Sequence, residues 1–263
     1  MKSAHHLAAA SILLASLAGC AGLETGNGAD ALVRVEFALT AAQPVDSSGA
    51  TFPLATAQAN LRRVDLYLPA GASCRDIPGL ADGRVIDDST PHLAICSADG
   101  DHIRLTGPWV VDLVDGAVTP ELPTLAVPPG LYRRVDVRFS PGDPDEGVVA
   151  SGSPLDDVTI AATGQAPAGT NASFYSMRLR FEEEARFESV GFNVGAGSVK
   201  EVIALLDPGA WFSNLPLAEC AASGDLPNDN GVLQIADGDD DCDDIEDSVR
   251  DAIRASGSLS SDD

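Results

Sequence analysis

The chain runs to 263 residues with 40 acidic and 16 basic side chains, giving a formal net charge of −24 and a pI near 4.2. So acidic a surface excludes recognition of a nucleic-acid phosphate backbone and electrostatic adsorption to anionic lipid headgroups. The length supports one or two domains with a sizeable core, and a hydrophobic fraction of 44% separates the chain from disordered acidic tails.

The N-terminus opens with Lys2 and continues into an apolar run, Leu7–Leu17. That run is shorter than the roughly 20 residues a bilayer crossing needs, and with small residues after it the pattern predicts an export signal. It closes on Leu17-Ala18-Gly19-Cys20, which resembles the lipobox of bacterial lipoproteins. The resemblance implies cleavage before Cys20, a diacylglycerol on its sulfur and an acyl chain on the new amine. Three chains hold a protein in a lipid bilayer stably, where one binds only marginally. Ala21 stands where inner-membrane lipoproteins carry aspartate, so the implied location is the outer membrane. The expected organisation is a signal peptide over residues 1–19 and a lipidated, flexible tether over 20–30. Removal of the signal takes Lys2 away, leaving 15 basic against 40 acidic residues and a net charge of −25.

From Ala31 the chain alternates apolar and polar positions. Val33, Val35, Phe37 and Leu39 share one face of the first segment, and Val64, Leu66 and Leu68 share one face of the next, opposite Arg63, Asp65 and Tyr67. The same period of two recurs in Val135, Val137 and Phe139, in Tyr175, Met177, Leu179 and Phe181, in Val190, Phe192 and Val194, and in Val199, Ile203 and Leu205. Half-buried strands with Gly/Pro turns such as Pro128-Pro129-Gly130 predict an all-β, antiparallel β-sandwich over residues 31–214. Residues 69–101 interrupt the alternation and read as an irregular insertion.

Four cysteines follow Cys20: Cys74, Cys96, Cys220 and Cys242. An even number in an exported chain predicts two disulfides. Three connectivities are formally open; the sequential one, Cys74–Cys96 and Cys220–Cys242, keeps each pair within one local segment.

Trp109-Val110-Val111-Asp112-Leu113, Gly116 and Pro129-Gly130-Leu131-Tyr132 follow one another in an order that resembles the bacterial lipoprotein family known as domain of unknown function 4382. The resemblance spans roughly residues 31–208 and implies an immunoglobulin- or transthyretin-like sandwich, with no activity attached. Pro129 replaces the family's usual small residue, and the cysteine-bearing insertion and the C-terminal stretch have no counterpart in its pattern. Trp109 and Trp211 read as core plugs rather than sugar platforms, and Tyr132 as an edge cover whose hydroxyl bonds locally.

Residues 215–263 read as a separate acidic C-terminal unit. Between Asp225 and Asp263 stand thirteen acidic residues and two basic ones. Ile245, Val249, Ala252 and Ile253 recur at helical spacing, predicting a short amphipathic helix over Asp244–Ala255 to end the chain. Asp237, Asp239, Asp241 and Asp243 alternate, so an extended loop could aim several oxygens at Ca²⁺. The simpler reading is a solvated loop whose last carboxylates favour the helix N-terminus.

Catalytic signatures are sparse. His92 and His102 have no partner at metal-ligand spacing and read as loop residues; no nucleophile elbow or phosphate-binding loop is present. The sequence therefore predicts a non-enzymatic module contacting envelope proteins or extracellular polymer. A divalent-cation-binding lipoprotein is the first alternative, and a carbohydrate-binding or carbohydrate-processing surface protein the second.

Overall fold

A computed structural model describes residues 31–39, 43–83, 91–236 and 242–261. The expected export signal, Cys20 and the expected tether lie outside these residues, as do Asp237, Asp239 and Asp241.

The first strand, β1 (Ala31–Leu39), buries Val33, Val35 and Phe37 as its alternation predicts. The long β2 (Leu54–Tyr67) organises the rest. Short strands β3 (Ala81–Asp82) and β4 (Ala94–Cys96) belong to the insertion, followed by β5 (His102–Asp112), β6 (Val118–Thr119), β7 (Leu125–Val127) and β8 (Gly130–Phe139). Next come β9 (Ile160–Gln165), β10 (Phe174–Leu179), β11 (Glu183–Val194) and β12 (Val199–Leu206). Helices α1 (Pro208–Trp211) and α2 (Leu217–Ser223) lead to β13 (Asn228–Asp229), β14 (Val232–Ile235), α3 (Ile245–Ser256) and β15 (Ser258–Ser261).

These strands form one curled sheet in the order β13-β14-β10-β9-β2-β8-β11-β15-β12-β1-β7, with β3–β6 branching off β2 through β5. One edge of β2 pairs with β5 from Gln58 opposite Asp112 to Tyr67 opposite His102. Its other edge is divided: Leu54–Ala59 pair with β9, and Leu61–Leu66 with β8. The switch is made at a bulge between Leu61 and Arg63, and bulges bend a strand and sharpen its twist. Asn60, fully buried at this point, donates from Nδ2 to the carbonyls of Ser140 (3.1 Å) and Pro141 (3.3 Å).

The concave side is filled by Phe37, Leu61, Trp109, Tyr132, Phe139, Tyr175, Phe187, Trp211 and Phe212. Phe52 meets Tyr175 and Phe212 edge-on, at ring separations of 5.7 and 5.5 Å, an arrangement the ring quadrupoles favour. Gly164 is required where β9 passes beneath this cluster: a Cβ there would lie 1.8 Å from the Pro53 carbonyl oxygen and 2.6 Å from the Tyr175 ring.

Four sequence expectations are corrected. The sheet is not purely antiparallel, because β1–β12, β10–β14 and β11–β15 pair in parallel; such pairings join segments far apart in sequence, and local turns do not reveal them. Val190 is 97% exposed, because a register shift between Glu188 and Phe192 turns it off the inward face that Phe192 and Val194 keep. In β12 the inward residues are Val202, Ala204 and Leu206, and Val199 points to solvent; apolar residues on both faces left the alternation ambiguous. Finally, His102 is not in a loop but is the buried first residue of β5.

The acidic C-terminal stretch is woven into the sheet. β14 pairs with β10, while α3 packs on α1 and β11 through Ile245, Val249 and Ile253. The chain does not stop at the helix: Ser258–Ser261 slots between β11 and β12. Among the described residues no helix is long and apolar enough to cross a membrane.

Candidate functional site

Where β2 changes neighbours, its bulge presents Arg62 and Arg63 in succession, and a groove of about 710 Å³ opens beside them. Arg138 of β8 and Arg180, just after β10, complete four guanidinium groups; Asp143, Glu146, Asp156, Asp157 and Glu182 supply five carboxylates. Two loops form the far wall. The loop after β8 turns through Pro144–Glu146, where Asp143 accepts from the Asp145 amide at 2.9 Å. It is stitched to the next loop by Gly142 N–H donating to Val158 (3.0 Å) and Asp157 N–H donating to Gly142 (2.9 Å). That close approach needs glycine, since a Cβ on Gly142 would meet the Leu155 carbonyl oxygen at 2.4 Å.

Every guanidinium in the groove has a carboxylate partner. Arg62 pairs with Glu146, Arg63 with Glu184 and Asp65, Arg138 with Glu182 at 2.7 Å and Arg180 with Asp157 at 2.9 Å. The Asp157 hydrogen bond raises the Arg180 pKa above its ordinary value. Arg63 is held by the buried Asp65, but the Arg62, Arg138 and Arg180 pairs are solvent-accessible and worth about 0–1 kcal/mol each, so a ligand bearing carboxylate, phosphate, sulfate or hydroxyl groups can take those three arginines over at small cost. A wall lined mainly by charged and polar side chains suits a polar polymer or a protein surface better than a drug-like small molecule.

The groove continues onto the convex face of β5, β2, β8 and β11, where polar side chains stand in rows across the strands. One row is Arg104, Asp65, Asp136 and Arg186; beside it run His102, Tyr67, Arg134 and Glu188. Asp65 accepts from Arg104 Nε at 2.9 Å and lies 3.0 Å from Arg63 Nε. Asp136 accepts from Arg134 Nε at 2.7 Å, with Arg186 Nε at 3.7 Å. The Arg134 guanidinium sits 4.0 Å above the Tyr67 ring. Burial, and then the Asp136 charge, push the Tyr67 hydroxyl above its ordinary pKa. Burial also opposes ionisation of Asp101, but its 2.8 Å hydrogen bond with His102 Nδ1 and the neighbouring His102 charge outweigh that, holding its carboxyl below the usual range. Read as sequence, these positions form an ordinary wet face; the readable signal is polar residues at every second position on four strands at once.

The residues singled out in the sequence are distributed differently. Cys74 and Cys96 lie at disulfide distance with Cα atoms 5.3 Å apart, as do Cys220 and Cys242 at 6.2 Å. Asp243 is exposed ahead of α3. Asp244 occupies the helix cap without a side-chain capping bond, and Glu246 in the first turn instead accepts from the Arg180 amide at 2.9 Å. Among the described residues no group of three or more His, Cys, Asp or Glu side chains is placed to hold a metal ion. Trp109 and Trp211 are each 1% exposed, so neither offers a platform for a sugar ring; His92 meets the Trp109 ring edge-on at 5.8 Å. The Tyr132 hydroxyl donates to the Pro128 carbonyl at 2.7 Å, closing its turn locally.

No family model matches the chain, and no curated protein matches it. Among solved structures it is similar to MbnP from Methylosinus trichosporium, at 11% identity over 70% of this chain and 77% of that one, with a TM-score of 0.33. A likeness at that level carries no argument about fold or function.

Proposed function

We propose that this chain is a bacterial lipoprotein, anchored through acylated Cys20 to the outer membrane, whose β-domain serves as a non-enzymatic binding or structural module. Its body is read as an immunoglobulin- or transthyretin-like sandwich in the manner of domain of unknown function 4382, with its parallel strands and C-terminal weave as additions. The observation that carries the reading is the pair of disulfide-distance cysteine pairs, each spanning 22 residues. Disulfides persist outside the reducing cytosol, which supports export by the signal that the lipobox Leu17-Ala18-Gly19-Cys20 closes. The mixed-charge groove around Arg62, Arg63, Arg138 and Arg180 supports contact with envelope proteins or an extracellular polymer bearing acidic or hydroxyl groups.

The test is fractionation of the full chain and its Cys20→Ser variant. Wild type is expected in the membrane pellet after alkaline washing and the variant in the soluble fraction. A variant that stays in the washed pellet contradicts lipid anchoring.

A further inference from the structure

Charge is spread unevenly over this molecule, and one end of the sheet has little of it. β1 and β12 start together, with Leu32 opposite Val199, and β12 follows β11 through the turn Gly195–Ser198. β11 ends where β8 begins, with Val194 opposite Gly130, and β7 ends opposite Ala31. Five strand ends thus share one pole, and they derive from runs without a single Asp, Glu, Lys, Arg or His: residues 122–132 and 189–199, eleven residues each, and 31–33.

Four of the large hydrophobic side chains left exposed lie at or beside this pole: Leu32 at 36%, Leu131 at 41%, Val190 at 97% and Val199 at 66%. Leu131 leans on the backbone at Gly191, where a Cβ would meet its Cδ1 at 2.7 Å, which brings it beside Val190. Arg133, close to Gly191, and Lys200, next to Val199, flank the patch, and the insertion that carries Asp99 and Asp101 comes alongside where Pro69 meets Gly130.

We propose that this pole is the membrane-facing end of the domain and that its occupant is the bilayer surface carrying the Cys20 anchor. The inference rests on the lipoprotein reading. What selects the bilayer over another occupant is the chain itself. Ala31 enters the structure at this pole, and ten residues lie between it and Cys20, a reach of at most about 40 Å over the eleven steps when fully extended. An acidic body is repelled by anionic headgroups, so a tethered domain settles with its uncharged end inward, apolar side chains at the headgroup boundary and basic flanks beside phosphates. The patch is small, so the acyl chains hold the protein and the patch sets its orientation. Phe174, exposed at the opposite end of the sheet, then points away from the membrane.

The test places one added tryptophan at either pole of the full-length, lipidated protein, as Val190→Trp and as Phe174→Trp. Native Trp109 and Trp211 are buried and give the same background in both. Each variant is reconstituted in phosphatidylethanolamine–phosphatidylglycerol vesicles containing acyl-brominated phosphatidylcholine. Insertion at the headgroup boundary brings bromine within reach, so position 190 should lose about half of its added emission and position 174 almost none. Flotation of the same samples separates the two readings. Protein that floats while position 190 stays unquenched overturns the orientation and leaves the anchor standing; protein that does not float overturns both. A wild type that dimerises in detergent while Val190→Asp stays monomeric, with no quenching in vesicles, assigns the pole to a second copy and overturns the bilayer proposal.

Discussion

Asp65 of β2 and Asp136 of β8 stand directly opposite each other in the strand register, and both carboxylates are almost fully buried on the sheet's convex side. Two like charges hold such positions only because arginines flank the pair: Arg63 and Arg104 on Asp65, Arg134 and Arg186 on Asp136. The attraction wins because each carboxylate has guanidinium nitrogens at 2.7–3.0 Å. The row acts as a clamp across four strands.

Removing one member should therefore cost far more than removing an exposed pair in the adjoining groove. Asp65→Ala removes the buried carboxylate that Arg63 and Arg104 share, leaving Arg63 with Glu184 and Arg104 beside His102, and should lose about 3 kcal/mol in urea unfolding. Arg180→Ala, whose side chain is 64% exposed, should lose less than about 1 kcal/mol. Equal losses would mean that the row contributes nothing beyond its surface.

Alkali should unfold the domain through its tyrosines. Burial raises the hydroxyl pKa of Tyr132 and Tyr175, and the chain contains only one other tyrosine, Tyr67, also raised. A raised folded-state value means that the stabilisation is complete below the unfolded tyrosine pKa of about 10 and is lost as pH climbs beyond it. Ultraviolet titration should show tyrosinate appearing together with loss of the fold, well above pH 10. A smooth titration of all three centred near 10 in folded protein would contradict the burial.

Each cysteine pair closes a 22-residue loop, worth about 3 kcal/mol in the chain-entropy account. Cys74→Ala/Cys96→Ala should lower stability by about that amount, and reduction of the wild type should lower its melting midpoint. An unchanged midpoint under full reduction would mean that the pairs staple nothing.

Millimolar calcium should leave the melting midpoint where chelator puts it. Two carboxylates of the acidic segment already serve the fold, Glu246 on the Arg180 amide and Asp247 on Arg250. A ligand that binds only the folded state raises the midpoint, so an increase with calcium would return Asp237, Asp239, Asp241 and Asp243 to the cation-binding alternative.

Much of the strand layout was legible because burial on one face enforces a period of two: Val33, Val35 and Phe37, or Val135, Val137 and Phe139, need no partner strand to be recognised. What β12 pairs with was not legible. Its VKEVIALL is apolar on both faces, and its partner β1 lies more than 150 residues away. β15 was invisible for another reason: SLSS has no alternation of its own and is a strand only because β11 and β12 leave a gap that it fills. Gly257 permits that entry, since a Cβ there would press on the Phe187 ring at 2.9 Å. The candidate groove was hidden because its arginines come from β2, β8 and the end of β10, and only the bulge at Arg62 draws them together.

The central claim is that this domain is held to a membrane by lipid on Cys20. Its most direct test is mass spectrometry of the N-terminal peptide from protein extracted from the membrane fraction. A peptide that begins at Cys20 and carries diacylglycerol on sulfur and an acyl chain on nitrogen is the predicted result. A mature chain that begins elsewhere, or at Cys20 with a free thiol, would contradict it.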